Sequence, residues 1–218
     1  EGVVTAGDAI APAGGPEGRV ADRRVAPASD ALEQAVVAIR AASRPVFVVG
    51  HGARDSMTSV VALAERLGAP VLTTFKAKGQ ISDRHPLGAG VLGRSGTPVA
   101  SWLMNESDLL VVWGASFSNH TGIAPYKPIV QIDDDPMALG RFHPVAVPVL
   151  GDVATSADAI STQLGAEIAA VDQRSDVAER WTLWRAEKQS RLADDRGHGV
   201  SAAALFDALG RHVAPDAV

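Results

Sequence analysis

The 218-residue sequence contains no cysteine, and this absence excludes several kinds of protein. A disulfide framework, a thiolate nucleophile and a sulfur-ligated metal site all require cysteine. The six histidines lie at positions 51, 85, 120, 143, 198 and 212, and their spacing is not that of a metal site. No G-x-S-x-G turn of the serine-hydrolase type occurs either. The residues therefore predict no cysteine nucleophile, no serine-hydrolase site of this type and no metal site.

Positive charge and long apolar runs are also scarce. The net charge is −5 and the isoelectric point is near 5.6, whereas nucleic-acid binding usually requires a basic stripe. No apolar run approaches the roughly 20 residues that span a bilayer. The first residues lack the basic start and apolar stretch of a secretory signal, so a cytoplasmic location is expected. The chain begins with Glu1 rather than methionine, which suggests a trimmed sequence.

Both ends of the sequence differ in character from its middle. Residues 1–28 are rich in Ala, Gly, Pro and Arg, and we predict a linker that is partly disordered. Asp30 and Glu33 resemble a capping box and predict a helix that continues to Ala42. Residues 166–218 predict two helices, at 176–193 and 200–213, which would form a helical connector.

The middle of the chain, residues 29–165, predicts one α/β domain. Five apolar, β-prone runs alternate with helical segments, and they lie at residues 45–49, 70–74, 109–113, 128–132 and 146–150. Strands that are apolar on both faces are typical of a parallel sheet covered by helices. We predict a doubly wound parallel sheet with helices on both faces, similar to FAD- and NAD-binding (Rossmann-like) domains. Residues 75–96 are predicted as a loop.

Glycine or aspartate follows most of these strands, at the edge where such sheets bind ligands. The turn Gly50-His51-Gly52 would let a ligand approach the backbone, with a helix N-terminus behind it that favours phosphate. It does not have the G-x-G-x-x-G pattern, and a glycine turn of this kind can also serve packing alone. Asp133 could bind ribose hydroxyls, or the neighbouring Asp135 and Pro136 could simply cap a short helix. Lys76 and Lys78 could meet phosphate or remain solvated.

Six segments together resemble the central domain of thiamine-diphosphate enzymes of the acetolactate synthase and pyruvate oxidase group. They are residues 44–53, 67–79, 83–87, 93–97, 107–114 and 131–140, in the order and spacing of that family. The resemblance runs from about residue 30 to 165. It implies a larger parent enzyme that makes or breaks carbon–carbon bonds of a 2-oxo acid. In that parent, a pyrimidine-binding and a diphosphate-binding domain flank the central one, thiamine diphosphate and magnesium bind outside it, and the chain forms a homo-oligomer. The resemblance therefore implies that the 218 residues contain no catalytic residue, no thiamine diphosphate site and no metal ligand.

The resemblance also implies where a nucleotide would bind, because relatives carry FAD, ADP or nothing in this domain. The matching positions are Gly50, His51, Gly52, Thr74, Phe75, Lys76, Gly93, Arg94, Ser95, Gly114, Ala115, Ser116, Asp133, Asp134, Gly151 and Asp152. One departure concerns the turn after Gly114, where the family places arginines and this sequence has Ser116 and His120. Arginine binds phosphate through two parallel hydrogen bonds, so the absence of these arginines weakens the nucleotide site that the resemblance implies.

Two other hypotheses stay open at this stage. A stand-alone NAD-binding module of sirtuin-like architecture has the same broad fold class, although the chain lacks cysteines for a structural zinc. A purely structural domain with an empty crevice is also consistent with the sequence, and it is compatible with the family resemblance. The sequence identifies neither the 2-oxo acid nor the acceptor.

Overall fold

A single six-stranded sheet organises the chain in the computed structural model, which describes residues 24–116, 121–166, 168–194 and 197–214. All five strand pairings are parallel, and the strand order is β3-β2-β1-β4-β5-β6. The strands are β1 (Pro45–Val49), β2 (Val71–Thr73), β3 (Gly88–Val91), β4 (Leu109–Trp113), β5 (Ile129–Asp133) and β6 (Val147–Leu150). The predicted doubly wound parallel sheet is confirmed. Most of the predicted N-terminal linker, residues 1–23, lies outside the described residues.

Helices cover both faces of this sheet. They are α1 (Ser29–Ala41), α2 (Met57–Leu67), α3 (Pro98–Glu106), α4 (Val153–Gln163), α5 (Arg174–Ser190) and α6 (Ala202–His212). Phe47 and Val49 of β1 pack with α1, α2 and α4, whereas Val46 and Val48 pack with α3 and α5. Successive residues of a strand point to opposite faces, which is why β1 needs apolar residues at every position. Among the described helices, none is long and apolar enough to cross a membrane.

The strand β3 corrects the prediction that residues 75–96 form a loop. Its sequence, Gly88-Ala89-Gly90-Val91, has the low β-propensity that hides a strand from sequence patterns. The glycines are needed because the neighbouring chain lies very close. A Cβ at Gly88 would lie 2.2 Å from the Ser82 carbonyl oxygen, and one at Gly90 would lie 2.4 Å from Thr97 Oγ1. Close backbone approach, rather than side-chain packing, therefore fixes this edge strand.

Two of the predicted helix ends agree with the structure, and one does not. Thr97 caps α3 by accepting from the Ala100 amide, with Pro98 at the first helical position. Gly68 ends α2 with φ = +61°, as its sequence position predicts. The predicted capping box at α1 is wrong, because the helix begins at Ser29 and its N-cap is Ala28, which has no side-chain acceptor. The Asp30 carboxylate instead accepts from the next amide, within the first turn.

The first of the two C-terminal helices, α5, belongs to the core of the sheet domain. The Trp181 indole N–H donates to the Gly88 carbonyl of β3 at 2.8 Å, and the Gln173 side-chain amide donates to the Pro45 carbonyl of β1 at 2.9 Å. Val177 and Trp181 are buried in the same cluster as α3. In contrast, α6 exposes Leu205, Phe206 and Leu209 among the described residues.

The two sheet edges are short and irregular. At one edge lies β3, four residues long and half glycine. At the other lies β6, whose residues alternate between buried and exposed and include Pro148. Proline has no backbone N–H and is confined within sheets to such edge positions.

Replacing Trp181 tests how firmly α5 is attached. We expect Trp181→Ala to lower the free energy of unfolding by roughly 3–5 kcal/mol, because it removes a buried ring and leaves the Gly88 carbonyl without its donor. The matched control is Trp184→Ala, since Trp184 is on the same helix but only partly buried. Urea unfolding of both variants measures the difference. Equal, small losses for the two would show that α5 does not pack as described.

Candidate functional site

The carboxyl ends of the strands form one continuous edge. The Gly50 amide donates to the Trp113 carbonyl at 2.8 Å, the Gly114 amide to Ile132 at 2.9 Å, and the Gly151 amide to Asp133 at 3.0 Å. These bonds confirm the expectation that the glycine- and aspartate-bearing strand ends gather on the same side. The strand order changes direction between β1 and β4, so the topological switch point lies between the Gly50 and Gly114 turns.

The turn after β1 is tightly hydrogen-bonded. A six-residue 3₁₀ helix, His51–Ser56, separates β1 from α2, so α2 begins at Met57 and not directly at the edge. The Gly52 amide donates to the Gly114 carbonyl at 3.0 Å, and the Ala53 amide donates to the Gly50 carbonyl at 3.2 Å. Together with the Gly50 amide, three backbone donors of this turn are already paired within the protein.

The turns after β1 and β4 pack backbone on backbone. A Cβ at Gly50 would lie 2.1 Å from the Gly114 carbonyl oxygen, and a Cβ at Gly114 would lie 2.5 Å from the Ala53 amide nitrogen. Gly114 has φ = +56°, a conformation that side-chain-bearing residues rarely adopt. Packing of the two turns is therefore one reason for glycine at these positions. Ala115 is buried at the same place.

Two other candidate turns remain open to solvent. Thr74 is partly buried and its amide extends the sheet to the Val49 carbonyl at 2.9 Å, while Phe75 and Lys76 are exposed in the following 3₁₀ turn. Arg94 and Ser95 are exposed on the loop after β3. That loop is adjacent to Gly122, whose Cβ would lie 3.8 Å from the Gly93 Cα. Lys76 and Arg94 therefore bring positive charge to this side of the edge.

Asp133 occupies a buried position at the end of β5, next to the exposed Asp134. It is only 7% exposed, and one carboxylate oxygen accepts from the Asp135 amide at 3.0 Å. Burial raises the pKa of Asp133 above its ordinary value, and the charges of Asp134 and Asp135 raise that pKa further, against the lowering effect of the Asp135 amide. A buried carboxylate that already accepts an amide is less open to ribose hydroxyls than the sequence suggested.

Gly151 and Asp152 serve the fold at the far end of the edge. The Asp152 carboxylate caps α4 by accepting from the amide and the hydroxyl of Thr155, at 2.8 and 2.7 Å. Its own amide donates to the Val25 carbonyl at 2.8 Å, so the segment before α1 runs across this strand end. A Cβ at Gly151 would lie 3.1 Å from the Pro27 nitrogen.

Ser116 is exposed after β4, and the residues that follow it, 117–120, lie outside the described residues. Of the two positions at which the sequence departs from the family, Ser116 is described and His120 falls outside the described residues. Across the described ranges, no group of three or more His, Cys, Asp or Glu side chains could hold a metal ion.

Gln131 is a site residue that the sequence reasoning missed. It is fully buried within β5, and its side-chain amide donates to the carbonyls of Ala115 and Ala138, both at 3.0 Å. Its carbonyl oxygen accepts from the Gly140 amide at 2.9 Å. One side chain thus joins the turn after β4 to the turn after β5. The available signal was a polar residue inside an otherwise apolar strand.

The pattern G-x-G-x-x-G occurs once in the sequence, at residues 88–93, and not in the turn after β1. These residues form β3 and its end rather than a turn between a strand and a helix. The match therefore lacks the structural context of a dinucleotide-binding fingerprint.

A family model described as the central domain of thiamine pyrophosphate enzymes matches residues 32–160, more than half of the chain. The chain belongs to this family. The matched range starts inside α1 and ends inside α4, so it contains the whole parallel sheet of the thiamine pyrophosphate enzyme central domain. The resemblance seen in the sequence is confirmed. Nothing in these matches supports the alternative of a sirtuin-like NAD-binding module.

Curated relatives and solved structures agree with the family. The acetolactate synthase large subunit of Corynebacterium glutamicum is 31% identical over 198 residues, which are 86% of this chain and 31% of that protein. The sulfoacetaldehyde acetyltransferase of Rhodobacter capsulatus is 29% identical over 194 residues, 84% of this chain and 31% of that one. A crystal structure of a candidate thiamin diphosphate-dependent enzyme from Mycobacterium smegmatis has a TM-score of 0.56 and 28% identity, over 68% of this chain and 30% of that one.

The chain is much shorter than these relatives. It spans between 20% and 31% of the length of the curated proteins just compared and of two others like them. The central-domain match therefore establishes the family of this thiamine pyrophosphate enzyme domain, while the activity of a whole protein is a separate question.

Replacing Gln131 tests its role in holding the two turns. We expect Gln131→Leu to lower the free energy of unfolding by about 2 kcal/mol or more, because two buried carbonyls lose the donor that Gln131 supplies and the Gly140 amide loses its acceptor. Hydrogen exchange at the Gly140 amide should accelerate as well. Gln34→Leu, at an exposed position on α1, is the matched control and should stay within about 0.5 kcal/mol of the wild type. Unchanged protection at Gly140 would contradict this role.

The raised pKa of Asp133 predicts a pH dependence of stability. The folded state holds this proton more tightly than the unfolded chain, so the contribution of Asp133 to stability is lost as pH rises through the folded-state pKa. The Asn in Asp133→Asn cannot titrate. We therefore expect the stability of the wild type minus that of Asp133→Asn to fall between about pH 4 and pH 7. Urea unfolding across this range measures it, with the exposed Asp158→Asn as control; a difference that rises with pH would contradict the assignment.

Proposed function

We propose that this chain is the central domain of a larger thiamine-diphosphate-dependent enzyme that makes or breaks a carbon–carbon bond of a 2-oxo acid. The observation that carries the proposal is the central-domain match over residues 32–160, together with relatives that are acetolactate synthases and an acetyltransferase. The curated relatives are about three to five times as long as the segment that each of them shares with this chain. This length is consistent with further domains in the parent.

Thiamine diphosphate, when bound to the parent, would supply the electron sink that making or breaking a bond next to a carbonyl group requires. The resemblance places its binding groups and the magnesium ion in the two flanking domains, and none of the residues described above is assigned to them. The central domain of our proposal therefore has no catalytic residue and no metal ligand of its own. Its role in the reaction is to hold the flanking domains in position.

The structure offers two features suited to such a scaffold. The sheet is buried on both faces, and Gln131 and α5 fix the strand-end turns and the outer helix layer with buried hydrogen bonds. The helix α6 presents Leu205, Phe206 and Leu209 to solvent, and an apolar helix face of this kind is typical of a surface that another domain or subunit covers. We propose that residues 166–218 lead into the diphosphate-binding domain.

Several finer assignments belong to the same proposal. Residues 1–28 would be the linker from a pyrimidine-binding domain, and the parent would be a cytoplasmic homo-oligomer. FAD or ADP, which the resemblance allows in this domain, would have to use the strand-end residues of the carboxyl edge. Of these, Lys76, Arg94, Ser95, Ser116 and Asp134 are exposed, whereas Gly50, Gly114, Asp133 and Gly151 are buried.

Two measurements on the native protein test the proposal. An antibody raised against this chain should detect a polypeptide several times its length in the source cells. That polypeptide, once purified, should consume a 2-oxo acid such as pyruvate only when thiamine diphosphate and magnesium are present, and the 218-residue chain alone should be inactive under the same conditions. A native product of about 218 residues, or activity that does not need thiamine diphosphate, would reject the proposal.

A further inference from the structure

We infer that the turn after β1 does not receive the pyrophosphate of a dinucleotide, because its Gly50 and Gly52 amides already donate to the end of β4 and to the turn that follows it. The inference rests on the proposed function, since it specifies what the central domain of the parent lacks. It runs against the expectation that the resemblance raised for Gly50, His51 and Gly52 as cofactor-binding residues.

The first step concerns hydrogen-bond donors. A phosphate at a strand-to-helix turn is held by backbone N–H groups that point away from the protein. In this turn the amides of Gly50, Gly52 and Ala53 donate to the carbonyls of Trp113, Gly114 and Gly50, at 2.8, 3.0 and 3.2 Å. A phosphate oxygen would have to displace these bonds, and the displaced carbonyls would then need other donors.

The second step concerns space and charge. The Gly114 carbonyl oxygen lies 2.1 Å from the position of a Cβ on Gly50 and 3.1 Å from that of a Cβ on Gly52. It thus covers the side of the turn that faces β4, whereas Gly52 is still exposed at the edge. A carbonyl oxygen carries partial negative charge, so it repels a phosphate oxygen instead of binding it.

The third step concerns the helix behind the turn. In a phosphate-binding turn the strand leads directly into the α-helix, whose N-terminal amides reach the ligand. Here the 3₁₀ segment His51–Ser56 intervenes, and Ser56, the residue before α2, is 92% shielded from solvent. Arg54, the cation of this segment, is within ion-pair distance of Asp55 at 3.3 Å. The start of α2 therefore does not provide the anion site that the sequence suggested.

A ligand titration tests the inference on the 218-residue chain itself. FAD and ADP are added separately up to about 1 mM and the unfolding temperature is recorded. A ligand at ten times its dissociation constant would raise the unfolding temperature of a chain of this size by about 3 °C or more. We expect shifts below about 1 °C for both.

The variant His51→Asp decides the meaning of any binding. His51 is exposed in the turn, so a carboxylate at this position would repel a pyrophosphate bound there. Binding that this variant weakens at least tenfold would overturn the inference. Binding that it leaves unchanged would place the nucleotide elsewhere on the chain and would support the inference, as would no binding. None of these outcomes changes whether the parent needs thiamine diphosphate, so the two proposals fail separately.

A second pair of variants tests the packing of the two turns. We expect Gly50→Ala to lower the unfolding temperature by more than about 8 °C or to abolish cooperative unfolding, because its methyl group would overlap the Gly114 carbonyl. Gly210→Ala is the control, since a Cβ there has no neighbour within 4 Å and it lies in helix α6. It should leave the unfolding temperature unchanged or slightly higher. A Gly50→Ala variant as stable as wild type would overturn the inference.

Discussion

The contact between the turns after β1 and β4 is the constraint on which the rest of the carboxyl edge depends. β1 and β4 are neighbours in the sheet, and the Gly52 amide bonds the Gly114 carbonyl just beyond their last residues. A backbone-to-backbone contact of this kind tolerates no side chain, so glycine is required on both sides. The same contact that holds the two strand ends together uses the donors that a phosphate would need.

Hydrogen bonds fix the remaining turns of the carboxyl edge, one after another, from this contact outward. Gln131 joins the turn after β4 to the one after β5, and the Gly151 amide extends β6 beside Asp133. Each link is a hydrogen bond between buried groups, where water does not compete and an unpaired partner is costly. The carboxyl edge is therefore a continuous hydrogen-bond network, and a substitution in one turn is expected to change the stability of the next turn.

The apolar strands were readable from the sequence because burial on both faces leaves a continuous run such as Pro45–Val49. The cap at Thr97 and the end of α2 at Gly68 were readable because both depend on a single local residue. The strand β3 was not readable, since its glycines are required by the approach of Ser82 and Thr97, which are distant from the strand's own pattern. For the site, sequence placed the turns on one edge, but it could not show which amides and carboxylates were already paired. Asp152 illustrates this, because a helix-capping aspartate and a ligand-binding one look the same in a sequence.

The two edges of the sheet have a consequence for how the chain meets other chains. An unpaired strand edge can recruit another chain and start aggregation, and natural proteins blunt such edges with proline or very short strands. At one edge, Pro148 of β6 limits further strand pairing. At the other edge, β3 is short and rich in glycine, and its Gly88 carbonyl already accepts a hydrogen bond from Trp181. Both edges of the sheet are thus protected against pairing with a strand of another chain.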